Sequence, residues 1–182
     1  FELIDTAGLR RKKQIEDQLE FYSTVRTIRS IEQSDVCLLL IDAQNGMERQ
    51  DQAIFWQVVN SYRGVVILVN KWDLIEKDHQ TMKTFEAAIR ERIAPFTDVP
   101  ILFTSNLTKQ RILKAFEEAM EVYENRNYKI PTSQLNDFLL PIIQNQPPPM
   151  YKGKMVRIKY VTQIKSQTPT FAFYCNLPQY IK

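Results

Sequence analysis

Residue types and spacing that could do chemistry are clearest at Asn70-Lys71-Trp72-Asp73, directly behind an apolar run. A guanine base presents its N1–H and N2–H₂ donors side by side, and a carboxylate such as that of Asp73 accepts both. Adenine lacks this donor pair and would leave the carboxylate oxygens unpaired, which is how such a group discriminates. Asn70 can tie neighbouring loops together, and the stem of Lys71 can lie over a purine ring in the cation–π manner. Without a ligand, the same four residues are a polar turn that opens a loop. Trp72 either flanks the base or packs into the core.

A second set lies upstream, at Asp5-Thr6-Ala7-Gly8-Leu9. Asp5 would hold Mg²⁺ through water, and the Gly8 N–H would meet a γ-phosphate oxygen, since glycine permits close backbone approach. Asp-x-x-Gly by itself is equally a simple turn. Its weight comes from preceding Asn70-Lys71-Trp72-Asp73 in one pattern of strands. A third set, Thr104-Ser105-Asn106, could turn backbone and hydroxyl groups toward the guanine O6, or could cap a helix.

Each of these three sets, and Asp42 as a fourth polar strand end, follows a short apolar run: Leu3-Ile4, Val36–Ile41, Val65–Val69 and Val99–Phe103. Such runs suit strands buried on both faces of a parallel sheet. Phe1–Ile4 reads as the first strand. In open α/β sheets, ligands bind at the carboxyl ends of the strands, where all four polar sets fall. Segments 17–33, 50–62 and 80–94 read as helices. Ile112, Ala115, Phe116, Ala119, Met120 and Tyr123 form an apolar stripe at helical spacing, with Thr108 as a candidate cap. The alternation predicts a layered α/β domain.

Asn125–Lys129 breaks this pattern. Beyond it, Leu135, Phe138, Leu139, Ile142 and Ile143 form a further helical stripe, capped by Thr132 or Ser133. Pro141 predicts a kink or an early end there, and Pro147-Pro148-Pro149 stops the helix. Val156, Ile158, Tyr160 and Ile164 then alternate with Arg157, Lys159, Gln163 and Lys165, which predicts a strand with one apolar and one basic face. Thr170–Cys175 reads as a second strand. The predicted domains are 1–126, layered α/β, and 127–182, a small α+β unit.

Composition narrows the class. The chain has 182 residues, 44% hydrophobic and 25% charged, which is ordinary globular composition. No apolar run approaches the ~20 residues that span a bilayer. The chain does not begin with Met, and its first residues do not read as a signal peptide. Two distant cysteines are no disulfide framework, and one histidine leaves no zinc set. Residues 1–128 hold 17 basic against 20 acidic residues, whereas 129–182 hold seven basic residues and one acid, Asp137. That asymmetry points the tail at a polyanion such as RNA, or lets it sit against the acidic first part. Lys154, Arg157, Lys159 and Lys165 are the candidates to face RNA phosphates, with Tyr174 to stack.

The residues also carry a resemblance. Asp5-Thr6-Ala7-Gly8-Leu9-Arg10-Arg11, Tyr22-Ser23, Arg26, Asp35-Val36, Asn70-Lys71-Trp72-Asp73-Leu74 and Thr104-Ser105 resemble the second GTPase domain of the bacterial tandem GTPase family Der, or EngA. Ile130–Asn136, Pro147–Pro149 and Thr168–Phe171 are similar to the KH-like domain that ends that family. The resemblance implies an incomplete P-loop GTPase-type sheet joined to a KH-like unit, with GTP or GDP, Mg²⁺ and K⁺ as cofactors. It implies assembly of the large ribosomal subunit in the cytoplasm, contact with rRNA, no membrane, and a contact between the two domains. Base binding would fall to Asn70, Lys71, Asp73, Ser105 and Asn106, and phosphate and Mg²⁺ sensing to Asp5–Leu9.

The departures from the family pattern are specific. Gly-x-x-x-x-Gly-Lys-Ser/Thr, which cradles phosphates, does not occur, and the single Gly-Lys pair is Gly153-Lys154. The chain reads as an excerpt of a longer protein, and a sheet without its first strand would expose unpaired backbone. The Gly-x-x-Gly clamp of ordinary KH domains is missing as well. Leu9 cannot orient an attacking water as a glutamine would, so no catalytic residue is assigned. Arg10–Lys13 is either a ribosome-facing patch or a solvated loop. The alternative function is a non-catalytic fragment that binds RNA or protein. His79 reads as a surface residue, Cys37 as a small buried hydrophobe and Phe55-Trp56 as core.

Overall fold

The structure, a computed structural model, describes residues 2–6, 27–76 and 78–181. They divide into two compact units, Phe1–Asn125 and Arg126–Lys182. No helix among the described residues is long and apolar enough to cross a membrane.

In the first unit, residues 27–33 are helical and lead into β1 (Val36–Asp42). There follow α1 (Arg49–Asn60), β2 (Gly64–Asn70), a 3₁₀ turn (Trp72–Leu74), α2 (Thr81–Arg92), β3 (Ile101–Phe103) and α3 (Ile112–Asn127). The three strands form one parallel sheet in the order β1-β2-β3.

The uninterrupted apolar run of β2 explains its central place. Gly64 through Val69 are all buried, and alternate residues feed opposite sides of the sheet. Val65, Ile67 and Val69 join Phe55 and Val58 of α1 and Ile89 of α2, together with Ile93, in one core. Val66 and Leu68 meet Ala115 of α3 on the other side, with Ala119 and Val122 packed beside them. The result is helix, sheet, helix. The buried stripe of α3 is thus Ala115, Ala119 and Val122. Phe116 and Tyr123, expected to face inward, are 43% and 41% exposed. Small residues let the helix approach the flat sheet closely, and the bulky rings turn outward.

Several sequence expectations are corrected. Residues 2–6 form no strand, and Leu3 is 72% exposed. An apolar run becomes a strand only by pairing, and these residues pair with neither edge of the sheet. Strand β3 begins at Ile101 rather than Val99: Pro100 has no N–H to give the ladder, although its carbonyl still accepts the Ile67 N–H at 2.9 Å. Thr108 does not cap α3. Its backbone N–H donates to Ser105 Oγ at 3.1 Å, and the helix starts four residues later, at Ile112.

The second unit contains α4 (Thr132–Asn145) and an antiparallel hairpin of β4 (Ile158–Ile164) and β5 (Thr170–Cys175). The N-cap position of α4 is Pro131, with no side-chain cap. The helix continues past Pro141 for another turn. Pro141 is exposed, and the carbonyl it cannot bond to belongs to Asp137, itself exposed, so the missing hydrogen bond falls on the solvent side of the helix.

Candidate functional site

The carboxyl ends of β1, β2 and β3 lie side by side, and backbone hydrogen bonds carry the alignment into the loops beyond them. Asp42 is the register partner of Asn70, and Val69 that of Phe103. Ala43 N–H donates to the Asn70 carbonyl at 2.9 Å, Thr104 N–H to that of Val69 at 2.8 Å, and Trp72 N–H to that of Thr104 at 3.0 Å. Three loops therefore leave the sheet in fixed relation to one another.

The loop after β2 turns sharply. Lys71 adopts the left-handed backbone conformation (φ 61°), and the 3₁₀ turn closes with Leu74 N–H on the Lys71 carbonyl at 3.0 Å. Trp72 is core. Only 2% exposed, it lies 4.4 Å from the Phe103 ring and 5.2 Å from the Phe85 ring, centroid to centroid. That anchor leaves its neighbour Asp73 at the surface edge, partly exposed, with no side-chain hydrogen bond or ion pair among the described residues.

Lys71 and Asn70 reach in opposite directions. Lys71 Nζ lies 2.5 Å from Asp42 Oδ2 at the end of β1. Asn70 Oδ1 accepts the backbone N–H of Asn106 at 3.3 Å, in the loop after β3. The pair of residues thus ties both flanking loops to the middle strand. Asp42 was legible in the sequence only as a polar strand end. The hydrogen bond from Lys71, then that from the Gln44 N–H at 3.0 Å, holds its carboxyl below the ordinary aspartate value.

Ser105 is completely buried. It exchanges two backbone hydrogen bonds with Gln110, at 3.0 and 3.3 Å, and its hydroxyl accepts from Thr108 N–H. Its polar atoms therefore shape the loop from within. Asn106, exposed next to it, is the residue of this set that meets the loop surface. Asp5 and Thr6 are exposed, while Ala7, Gly8, Leu9 and Arg10–Lys13 lie outside the described residues.

In the second unit, Lys154, Arg157, Lys159 and Lys165 are all exposed, but they do not share a basic face. Tyr160, Thr162 and Ile164 pair with Tyr174, Ala172 and Thr170 on one side of the hairpin. Val161 and Gln163 pair with Phe173 and Phe171 on the other. The expected basic side therefore carries a fully buried valine and two phenylalanines. A sheet face belongs to two strands, and β5 contributes aromatic residues where β4 alone suggested charge. Lys159 falls at the irregularity between Ile158 and Tyr160, and Lys165 follows the last residue of β4. Lys154 closes a turn with Tyr151 through backbone hydrogen bonds at 2.9 and 3.0 Å, and its Nζ lies 6.0 Å from the Tyr180 ring. Tyr160 and Tyr174 stack at 4.3 Å with 10° between their planes, each 44% exposed.

A parallel sheet between two helical layers, with loops at its carboxyl edge, is an arrangement shared by several α/β folds, among them that of the P-loop GTPases. Solved members superpose on it. An Era variant from Aquifex aeolicus bound to GDP and tetrafluoroaluminate has a TM-score of 0.56 at 23% identity, over 65% of this chain and 38% of that one. Era in complex with MgGDPNP and a segment of 16S ribosomal RNA gives the same TM-score and coverage. A probable GTP-binding protein engB gives 0.52 at 18% identity, over 67% of this chain and 77% of that one.

Residues 19–142 match the elongation factor Tu GTP-binding domain, and residues 129–182 the "KH-domain-like of EngA bacterial GTPase enzymes, C-terminal". GTPase Der of Flavobacterium psychrophilum is 57% identical over 182 residues, and that of Bacteroides fragilis 56% over 184. The chain belongs to the Der, or EngA, family of GTP-binding proteins. It spans 42% of the length of these relatives.

Proposed function

We propose that the strand-end edge of the first unit reads the base of a guanine nucleotide, and that the whole protein carrying this chain is a GTP-hydrolysing switch in assembly of the large ribosomal subunit. One observation carries the base reading. The carboxylate of Asp73 stands at the edge of a fixed loop without a partner among the described residues, beside an indole that is fully packed. A carboxylate held in this way accepts the paired N1–H and N2–H₂ donors of guanine. The stem of Lys71 then lies over the purine, and Asn70 fixes the loop of Asn106 by holding its backbone N–H, which leaves the exposed Asn106 side-chain amide as the donor to O6. Ser105 supports this loop from inside rather than touching the base.

Asp5 and Thr6, exposed and ahead of Gly8, suit the sensing of γ-phosphate and Mg²⁺. Asp5 would hold the ion through water, and the ion would neutralise phosphate charge. K⁺ is proposed from the family alone. Hydrolysis is assigned to the whole protein, because the phosphate-cradling Gly-x-x-x-x-Gly-Lys-Ser/Thr is not in this sequence. The same division covers the domains: 1–126 as the nucleotide switch and 127–182 as the KH-like unit. Lys154, Arg157, Lys159 and Lys165 would meet rRNA phosphates from that unit, in the cytoplasm. Its excess of seven basic residues over one acid supports this reading.

The test is binding of fluorescent GDP and of a xanthosine diphosphate analogue to the whole protein with Mg²⁺. Asp73→Asn should lose GDP by at least about 100-fold and gain the xanthine nucleotide, whose C2 carbonyl accepts from the new amide. Unchanged GDP binding in that variant would remove Asp73 from the base site.

A further inference from the structure

We propose that Asp42 is the positioning residue for Lys71, fixing the lysine stem as one wall of the slot that receives the purine. The inference rests on the guanine-nucleotide reading above and adds a residue that no motif contains.

The geometry begins with the sheet. Asp42 and Asn70 are register partners at the ends of adjacent parallel strands, so the spacing between Asp42 and Lys71 is set by backbone pairing. Lys71 leaves its strand in the left-handed conformation, at φ 61° and ψ 31°, which residues other than glycine seldom adopt. From there its ammonium reaches Asp42 Oδ2 at 2.5 Å. Asp42 is itself oriented beforehand. Its Oδ1 accepts Gln44 N–H at 3.0 Å, and its carbonyl accepts Asn45 N–H at 3.2 Å and Gly46 N–H at 2.9 Å. Gly46 makes the turn possible, at φ +67°. One carboxylate oxygen is thus tied to its own turn and the other is aimed at Lys71.

The exposure of the pair says what it is for. The Lys71 side chain is 51% exposed and that of Asp42 28%, and ion pairs this open to water add little to folding stability. A lysine has many rotamers, and a ligand that stacks on its stem must collect them into one. A tether that has already done so removes this loss from the binding step. The pair therefore serves placement more than stability. Since it acts on the face of the purine and not on its edge, it is indifferent to which base-edge donors Asp73 reads.

The experiment is the release rate of fluorescent GDP from the whole protein, read by stopped flow for Asp42→Asn, Lys71→Met and the double variant, with thermal unfolding of each. Asp42→Asn should release GDP about three- to tenfold faster, with its melting temperature nearly unchanged. In the Lys71→Met background the same substitution should change nothing further. Asp42→Glu, which keeps the carboxylate, should recover part of the loss. Should Asp42→Asn fail to fold, Asp42→Ser retains a side-chain oxygen for Gln44 N–H and removes the charge. Equal effects of Asp42→Asn with and without Lys71 would overturn the proposal. Placing Asp42→Asn on Asp73→Asn, read with the xanthine nucleotide, separates the two readings. If xanthine binding appears and the cycle is additive, only the role of Asp42 falls. If Asp73→Asn leaves GDP bound and xanthine unbound, the guanine reading falls with it.

Discussion

Asn136 of α4 makes two hydrogen bonds to the backbone of one residue, Val161 of β4. Its Oδ1 accepts the Val161 N–H at 2.7 Å and its Nδ2 donates to the Val161 carbonyl at 2.8 Å, across 25 residues. The second Nδ2 hydrogen goes to the Thr132 carbonyl at 2.6 Å. The amide thus stands in for a further strand at the side of β4 away from β5, next to a valine that is completely buried. Asn136→Ala should cost about 1–3 kcal/mol, the range for leaving buried backbone groups without partners. Urea unfolding, followed through the tyrosines of the second unit, would measure it. Asn136→Asp keeps an acceptor for the N–H and sets a carboxylate against the carbonyl, so it should be no better than alanine.

Asp42 makes a small part of the stability of the first unit depend on acid, in keeping with how open its pair with Lys71 is to water. Its carboxyl sits below the ordinary value of 3.8 because Lys71 and then the Gln44 N–H favour the charged form. A carboxylate whose folded value is depressed contributes stability that is present above its unfolded value. That contribution fades as the pH falls through the folded value, which here lies below 3.8. Wild type should lose stability relative to Asp42→Asn on acidification below about pH 4, with the difference level from there to neutrality. Parallel denaturation curves across that range would check it, and a constant gap down to pH 2 would contradict it.

If rRNA phosphates meet the second unit, each lysine in contact should appear in the salt dependence. Replacing Lys159 and Lys165 with alanine should lower the slope of log affinity against log salt by about 0.7–0.9 per lysine engaged. Loss of affinity with the slope unchanged would assign these residues a structural part. Filter binding at several salt concentrations is sufficient.

Much of the first unit is legible in the residues because burial on both faces leaves a mark. Gly64–Asn70 is apolar without alternation, and it is the strand with a neighbour on each side and a helical layer above and below. Asn70-Lys71-Trp72-Asp73 is legible for a related reason, since the proposed base reading asks for particular side chains at fixed steps behind that strand. Ser105 shows where such reading stops. A serine ahead of an asparagine looks like a surface group, yet its loop folds back on Gln110 and encloses it. The Asp42–Lys71 pair is hidden for another reason, because 29 residues separate its members and only the strand register brings them together. In the second unit, the period of two in β4 located the strand and misassigned its faces. One strand's alternation does not include what its partner, with Phe171 and Phe173, adds to each side.

Trp72 sets the timescale of its loop. Its indole is wedged among Phe85 and Phe103, and its amide donates to Thr104. Freeing that amide means lifting a whole aromatic ring out of the protein, so local fraying is closed to it and exchange with deuterium must wait for the core to open. Asp73, one residue along, inherits that rigidity while remaining wet. The turn is therefore a jaw that is already set before anything enters it.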